Sequence, residues 1–341
     1  MSPDNGYKKI EEAMLIWGAL AELGFSTTPK ELVDKINQLK RGLPKEDEFI
    51  ALSIWMDKCT LIHKLDQKQY PTLSKREYQI PDLFACYKYN GRDVQVLIEV
   101  KSTKRKKLRF TNVDYNRRMK YSQITGLPIL IAWHLKGWDL WCLFELSKMQ
   151  KKVSAFCIDF ETAIREDLMG VLLDNVIFSI KKGTKLVMQI EIEKGTEVRN
   201  ETDQTLEEFI GMLKDIEFVS VAGERISSGS PLSKFLYYTF MLVYTDASST
   251  DDGNYVTQTF YTNEDQTVFG YQILGVASFG TKSFDNPELN WLDIIKNESF
   301  TISYEDIKSG AKEGVRKGVV KYVIRNLPKP VPRFLEQGLG K

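Results

Sequence analysis

Histidine is almost missing from this chain: His63 and His134 are the only two among 341 residues, and they lie too far apart to show metal-ligand spacing. Cysteine is nearly as sparse. Cys59, Cys86, Cys142 and Cys157 show no Cys-x-x-Cys spacing, which argues against a zinc cluster or a disulfide framework and reads as reduced core thiols. Neither sign of charge is in excess, since 47 Lys and Arg face 46 Asp and Glu for a formal net of +1. Affinity for a polyanion must therefore come from a local patch. No apolar run reaches the ~20 residues of a membrane span, and Phe235 to Tyr244 is too short to be one. The N-terminus shows no basic segment followed by an apolar stretch, so the protein is expected in the cytoplasm with no membrane partner.

The chain is long enough for two cores. The pattern changes near residues 150–165, which divides it into a segment 1–165 and a segment 166–341. In the first segment, Ile10, Ala13, Met14, Trp17, Leu20 and Ala21 recur at helical spacing before Gly24. Thr28-Pro29-Lys30-Glu31 then has the form of a capping box, leading into Leu32, Val33, Ile36 and Leu39. A third helix is predicted over about 45–56, with Phe49, Leu52, Ser53 and Met56 on one face and Glu46, Asp47 and Glu48 in the first turn. Such helices could form a DNA-reading helix-turn-helix, although helices capping a sheet are commoner. Glu48 either projects towards a site on that sheet or merely complements the helix dipole.

After a predicted strand at 60–65 comes the stretch Tyr78 to Lys101, where Asn90-Gly91 separates two runs rich in apolar and aromatic residues. Asn-Gly supplies the positive φ angles of a tight type I′ turn, so two antiparallel strands should flank it. Glu99 and Lys101 are two apart and leave the same face of the second strand, while Val100 points to the other. Asp82 begins the first strand behind Pro81, and the hairpin folds the two carboxylates together. A basic segment follows: Lys104, Arg105, Lys106, Lys107 and Arg109, then Arg117, Arg118 and Lys120 on a predicted helix from 113 to 126, with Asp114 the only acid among them. That density suits phosphates, which lysine and arginine neutralise with release of counterions. Asn116, Lys120 and Gln123 share one face of this helix, as a groove lining or as ordinary exposed polar residues. Strands are predicted at 127–133 and 138–144.

In the second segment, 176–180 and 185–192 are expected to pair across Lys182-Gly183, and 205–213 to form a capped helix. Runs at 235–244, 255–261 and 268–277 predict a sheet, with 248–254 a polar loop, although 235–244 also reads as a core helix. Gly310, Gly314 and Gly318 recur every four residues in a predicted helix reaching about Asn326, beside Lys308, Lys312 and Arg316. Each interior glycine costs a helix about 1 kcal/mol against alanine, so the stripe implies close approach of another helix or of a phosphate backbone.

Pro81-Asp82 and Glu99-Val100-Lys101, with the apolar Val96-Leu97-Ile98 leading in and a helix and strand following, resemble the restriction endonuclease-like, or PD-(D/E)xK, nuclease superfamily. The resemblance covers roughly 45–145. It implies an α/β fold, with a restriction endonuclease-like core (a mixed central sheet flanked by helices), N-terminal helices and a second α+β domain for recognition, dimerisation or regulation. It further implies a DNA endonuclease dependent on Mg2+ or Mn2+. Asp82, Glu99 and the Val100 carbonyl would hold the cation, Lys101 would orient the attacking water, and Glu48 would stand as the acid of the preceding helix. Expected partners are DNA, a second copy of the chain, and a small-molecule or protein regulator acting through the C-terminal half. The alternative is a nucleic-acid-binding protein that keeps the fold without catalysis.

Overall fold

A computed structural model describes residues 45–199, 205–277, 291 and 300–336. The two helices expected before residue 45, and with them the helix-turn-helix unit, lie outside the described residues. The first described element is α1 (residues 45–55), which buries Phe49, Ala51 and Leu52, with Met56 buried just beyond its end.

The sheet that follows has the order β1-β2-β3-β5-β6, formed by Cys59–Lys64, Leu83–Tyr89, Arg92–Thr103, Ile129–Leu135 and Leu140–Glu145. Neighbours run antiparallel except β3 and β5, which are parallel. A parallel pair needs a crossover. Here it is β4 (Lys107–Thr111) and α2 (Asn112–Thr125). Thr111 caps α2 by accepting from the Asp114 amide at 3.1 Å, and Gly126 ends the helix at φ 70°.

Residues 96–100 of β3 are all buried, as expected of a strand covered on both faces. Ile98 and Val100 join the core under α1, and Leu97 joins the opposite core with Tyr115 of α2, Ile131 and Trp133. Beyond the main sheet, β4 pairs with β8 (Ala155–Asp159), which pairs with β7 (Gln150–Lys151). The α1-side core is continuous with residues of the second half, and Trp55 Nε1 donates to the Ile302 carbonyl at 2.9 Å.

The second half departs from its sequence pattern in several places. β9 (Ile177–Ile180) pairs with β15 (Gln266–Phe269) and β16 (Val320–Ile324), not with β10 (Lys185–Arg199). β10 pairs instead with β14 (Tyr255–Tyr261) and with β11 (Thr205–Val219), which replaces the expected helix at 205–213. The apolar spacing of Leu206, Phe209 and Leu213 mimics a helix, but pairing along β10 prevails over local propensity. Gly211 allows the Glu191 carbonyl an approach that a Cβ would block.

Residues 231–239 form a helix, α5, after two short ones, α3 (Phe160–Arg165) and α4 (Met169–Leu172). Ser230 caps α5, Pro231 opens it, and Leu232, Phe235, Leu236 and Thr239 are buried at helical spacing. The core-helix reading of this run therefore holds over the strand reading. The polar stretch expected as a loop supplies edge strand β13 (Asp246–Asp251), whose exposed residues carry no apolar alternation. β15 stops at Phe269, and α6 (Ile273–Ala277) takes the rest of the strand expected at 268–277.

The helix expected to reach Asn326 is α7 (Tyr304–Arg316), ended at Gly318 (φ 72°) before β16. A Cβ on Gly310 would strike Phe235 and the Pro231 carbonyl, and one on Gly314 would meet Val320 and Leu232. The glycine stripe thus admits α5, and Lys308 pairs with Asp174 at 2.9 Å.

Candidate active site

The hairpin turn has Asn90 at φ 49° and Gly91 at φ 76°, as an Asn-Gly type I′ turn requires. Its register pairs Leu83 with Ile98, and extended by one residue it sets Asp82 opposite Glu99. The backbone at Asp82 is held from outside the hairpin: its carbonyl accepts from the Leu65 amide at 2.9 Å, and the Pro81 carbonyl accepts from Gln67 Nε2 at 3.0 Å. Asp82 Oδ2 in turn accepts from the Val100 amide at 2.8 Å. Lys101 Nζ lies 4.0 Å from Asp82 Oδ2, donates to Glu99 Oε1, and reaches the Val100 carbonyl at 3.1 Å. The structure therefore brings Asp82, Glu99, Val100 and Lys101 together.

Glu99 is only 2% exposed, and a buried carboxylate needs compensation. Burial would push its pKa up, but Lys101 and Arg118 together hold it below the ordinary carboxylate value. For Asp82 the balance is reversed: burial first, then the charge of Glu99, raise its pKa to about 7 against the opposing effects of Lys101 and the Val100 amide. Both cations bind Glu99 through Oε1, while Oε2 is buried without a partner. An orphaned carboxylate oxygen beside a second carboxylate that resists ionisation fits a hard divalent cation, which would satisfy the one and favour the charged form of the other.

Of the acids on the preceding helix, Glu46 is the one whose charge acts on Asp82, while Glu48 is engaged elsewhere. Glu46 lies 3.5 Å from Lys64 Nζ; its charge acts on Asp82, and burial raises its own pKa despite Lys64. Two residues along a helix is a rotation of about 200°, which sends Glu48 to the other flank of α1. There it accepts from Trp141 Nε1 at 3.0 Å and pairs with Lys45 at 2.6 Å. Glu48, His134 and Asp139 form the one three-residue group with potential metal-ligand atoms within 4.8 Å of one another among the described residues. His134 is already engaged by Ser102 Oγ at 3.0 Å and Asp139 Oδ1 at 2.7 Å, so this group reads as a completed hydrogen-bond network.

Of the basic residues, Lys104, Arg105, Lys106, Lys107 and Arg109 are exposed, as expected of a phosphate-facing surface. Lys120 and Gln123 are exposed on α2, Lys120 pairing with Glu77 at 3.3 Å, and Arg117 is half-buried. Arg118 departs from its expected place. It is buried, 2.5 Å from Glu99 Oε1, donates to the Asp114 carbonyl at 3.1 Å and lies over the Phe110 ring, so it belongs to the site's interior. A signal was present: Arg118 follows Tyr115 by three residues on the inward face of α2, where an arginine implies a buried anion.

Residues 72–181 match the family described as archaeal Holliday junction resolvase (Hjc). This segment is restriction endonuclease-like. A solved structure similar to the chain is the Archaeoglobus fulgidus Hjc, a Holliday junction resolvase from an archaeal hyperthermophile, at 19% identity and a TM-score of 0.29. That likeness covers 36% of this chain and 91% of the other. No curated protein matches the chain.

Proposed function

We propose that this chain is a metal-dependent DNA endonuclease of resolvase type, hydrolysing phosphodiester bonds in branched DNA. The observation that carries the reading is the convergence of Asp82, Glu99 and Lys101 on one end of β3, with Glu99 Oε2 buried and unpartnered. The family matched over 72–181 supports DNA junctions as the substrate.

Asp82, Glu99 and the Val100 carbonyl are the residues that would hold Mg2+ or Mn2+. When bound, the ion supplies Lewis-acid polarisation of the phosphate and a more acidic water. The chain's own groups do the rest. Lys101, which donates to Glu99 and the Val100 carbonyl, orients the attacking water and offsets the negative charge that grows on the phosphate oxygens. Arg118 neutralises Glu99 from beneath and leaves its second oxygen free. Lys104 to Lys107 and Arg109 draw the DNA backbone to the end of β3.

The test is a cleavage panel of linear, nicked, four-way-branched and single-stranded DNA, with RNA as control, in magnesium and in chelator. Cleavage of branched DNA in magnesium alone is expected, with loss in Lys101→Ala and Asp82→Ala. Wild-type rates in either variant would remove the assignment. Tight, salt-dependent binding with no cleavage in any metal would mark the chain as a DNA-binding protein that keeps a nuclease-like fold.

A further inference from the structure

The turn between β5 and β6, Lys136-Gly137-Trp138-Asp139, carries an indole that is 50% exposed. Its ring meets Phe160 edge-on at 5.5 Å, and Phe160 belongs to the core on the Glu99 and Lys101 face of the sheet. The ammonium of Lys106 lies 4.1 Å from the ring centroid. The turn is tied to the end of β3, where the Lys136 amide donates to the Thr103 carbonyl at 2.9 Å. Thr103 is two residues beyond Lys101, about 7 Å along a strand. The exposed tryptophan therefore stands beside the basic turn and on the catalytic side of the sheet. Lys104, Arg105, Lys107 and Lys136 are exposed and make no ion pair among the described residues, so their charge is free for an external anion.

A basic surface alone serves any nucleic acid. An exposed aromatic within it adds a flat apolar face that duplex DNA, with its bases stacked inside, cannot use, but an unpaired base can. We propose that Trp138 is a stacking platform for an unpaired base close to the cleaved phosphate, with Lys106 turning from the ring to the phosphate of that nucleotide. This rests on the nuclease reading and deepens it: the substrate is DNA that exposes unpaired bases, whether at a branch point or in a displaced single strand. Phe160 fixes the indole from one edge, and the four-carbon stem of Lys106 lets its charge follow the backbone.

The experiment measures binding in chelator, so that its outcome is independent of cleavage, by fluorescence anisotropy of labelled DNA. Three probes of equal length are compared: continuous duplex, duplex with two bulged nucleotides, and single strand; a four-way junction is the fourth. Trp138→Ala should weaken binding to the bulged and single-stranded probes about tenfold, and to the continuous duplex less than about twofold. Trp138→Phe, which keeps an aromatic face and the Phe160 contact, should retain most of the affinity. Lys106→Ala should weaken all probes alike and reduce the salt dependence. Loss on the junction as well as the bulge assigns the platform to branch points, and loss on single strand alone assigns it to displaced strands. Equal losses on every probe in Trp138→Ala, or no loss on any, would overturn the proposal. Absence of cleavage by the wild type in magnesium would count against the nuclease reading alone.

Discussion

Arg118 and Glu99 form a buried ion pair, with the guanidinium 2.5 Å from Glu99 Oε1 and neither side chain more than 9% exposed. Arg118 reaches Glu99 from α2, whereas Lys101 reaches the same oxygen from the neighbouring strand position. The pair thus joins the crossover helix to β3, the strand proposed to supply metal ligands, and whatever shifts α2 shifts Glu99.

Removing one partner of such a pair leaves a buried charge uncompensated, at a cost of about 3–5 kcal/mol. Arg118→Ala should lose stability towards the lower end of that range, because Lys101 stays on Glu99 Oε1, and Arg118→Lys less, because the charge remains while one of the fork's donors is lost. Groups that hold a metal ligand in place typically govern metal affinity by about 10–100-fold. The half-saturating Mn2+ concentration of Arg118→Lys should rise accordingly. Urea unfolding and Mn2+ titration check the two effects separately, and an unchanged metal affinity in folded Arg118→Lys would show that Arg118 only neutralises Glu99.

The two flanks of α1 give a direct comparison. Glu46 lies beside Lys64 and its charge acts on Asp82, whereas Glu48 bonds Trp141 and Lys45. Glu46→Gln should lower magnesium-dependent cleavage about tenfold or more, by removing a carboxylate whose negative charge would help to draw the cation to the site. Glu48→Gln should leave cleavage within about twofold and cost about 1 kcal/mol of stability, since the amide oxygen still accepts from Trp141 Nε1 and only the charge is lost. Cleavage lost in Glu48→Gln and kept in Glu46→Gln would reverse the assignment.

The nuclease-like core was legible because its signals are local. Asn90-Gly91 dictates a turn, the turn dictates register, and register brings Asp82 to Glu99. The choice between Glu46 and Glu48 was not legible, because it depends on how α1 is rotated against the sheet, and both residues sit in a first turn that favours any acid. Arg118 was misplaced for a related reason: within a basic run its sign points outward, and only the inward phase it shares with Tyr115 separates it from Arg117. In the second half, β11 carries apolar residues at helical spacing, and its partner β10 is recognisable only once the hairpin exists. β13 is an edge strand without an apolar face, which is why its composition reads as a loop.

The proposed metal binding should depend on pH through Asp82, with a definite sign. Burial and the charge of Glu99 raise its pKa from 3.8 to about 7, so below that pH a proton occupies the group a cation needs in ionised form. Apparent Mn2+ affinity should rise about tenfold for each step of one in pH on approaching 7 and level off above it. In Asp82→Asn the slope should be gone, with affinity low throughout. Isothermal titration at pH 5.5, 6.5 and 8 reads the slope, and a flat wild-type profile would contradict the placement of Asp82 beside Glu99.

Asp167 offers a stability test outside the site. Its side chain is buried, and Oδ1 accepts from the Leu143 amide at 2.8 Å and the Met169 amide at 3.1 Å. Burial raises its pKa from 3.8 to about 7 despite those bonds. In the unfolded chain the proton leaves near the ordinary value, so the contribution of Asp167 to stability is highest at low pH, falls as the pH climbs from about 4 to about 7, and stays at the lower level above. Each tenfold difference in proton affinity between the folded and the unfolded chain corresponds to about 1.4 kcal/mol. Asp167→Asn keeps an oxygen for both amides and removes the charge, but its new N–H donors must also be accommodated, which offsets part of the gain. At pH 8 the variant should exceed the wild type by about 2 kcal/mol; at pH 5 the advantage should shrink or vanish. Urea unfolding in chelator at the two pH values checks this, and a variant less stable than wild type at pH 8 would show that the ionised carboxylate, with its two amides, is the form the fold prefers.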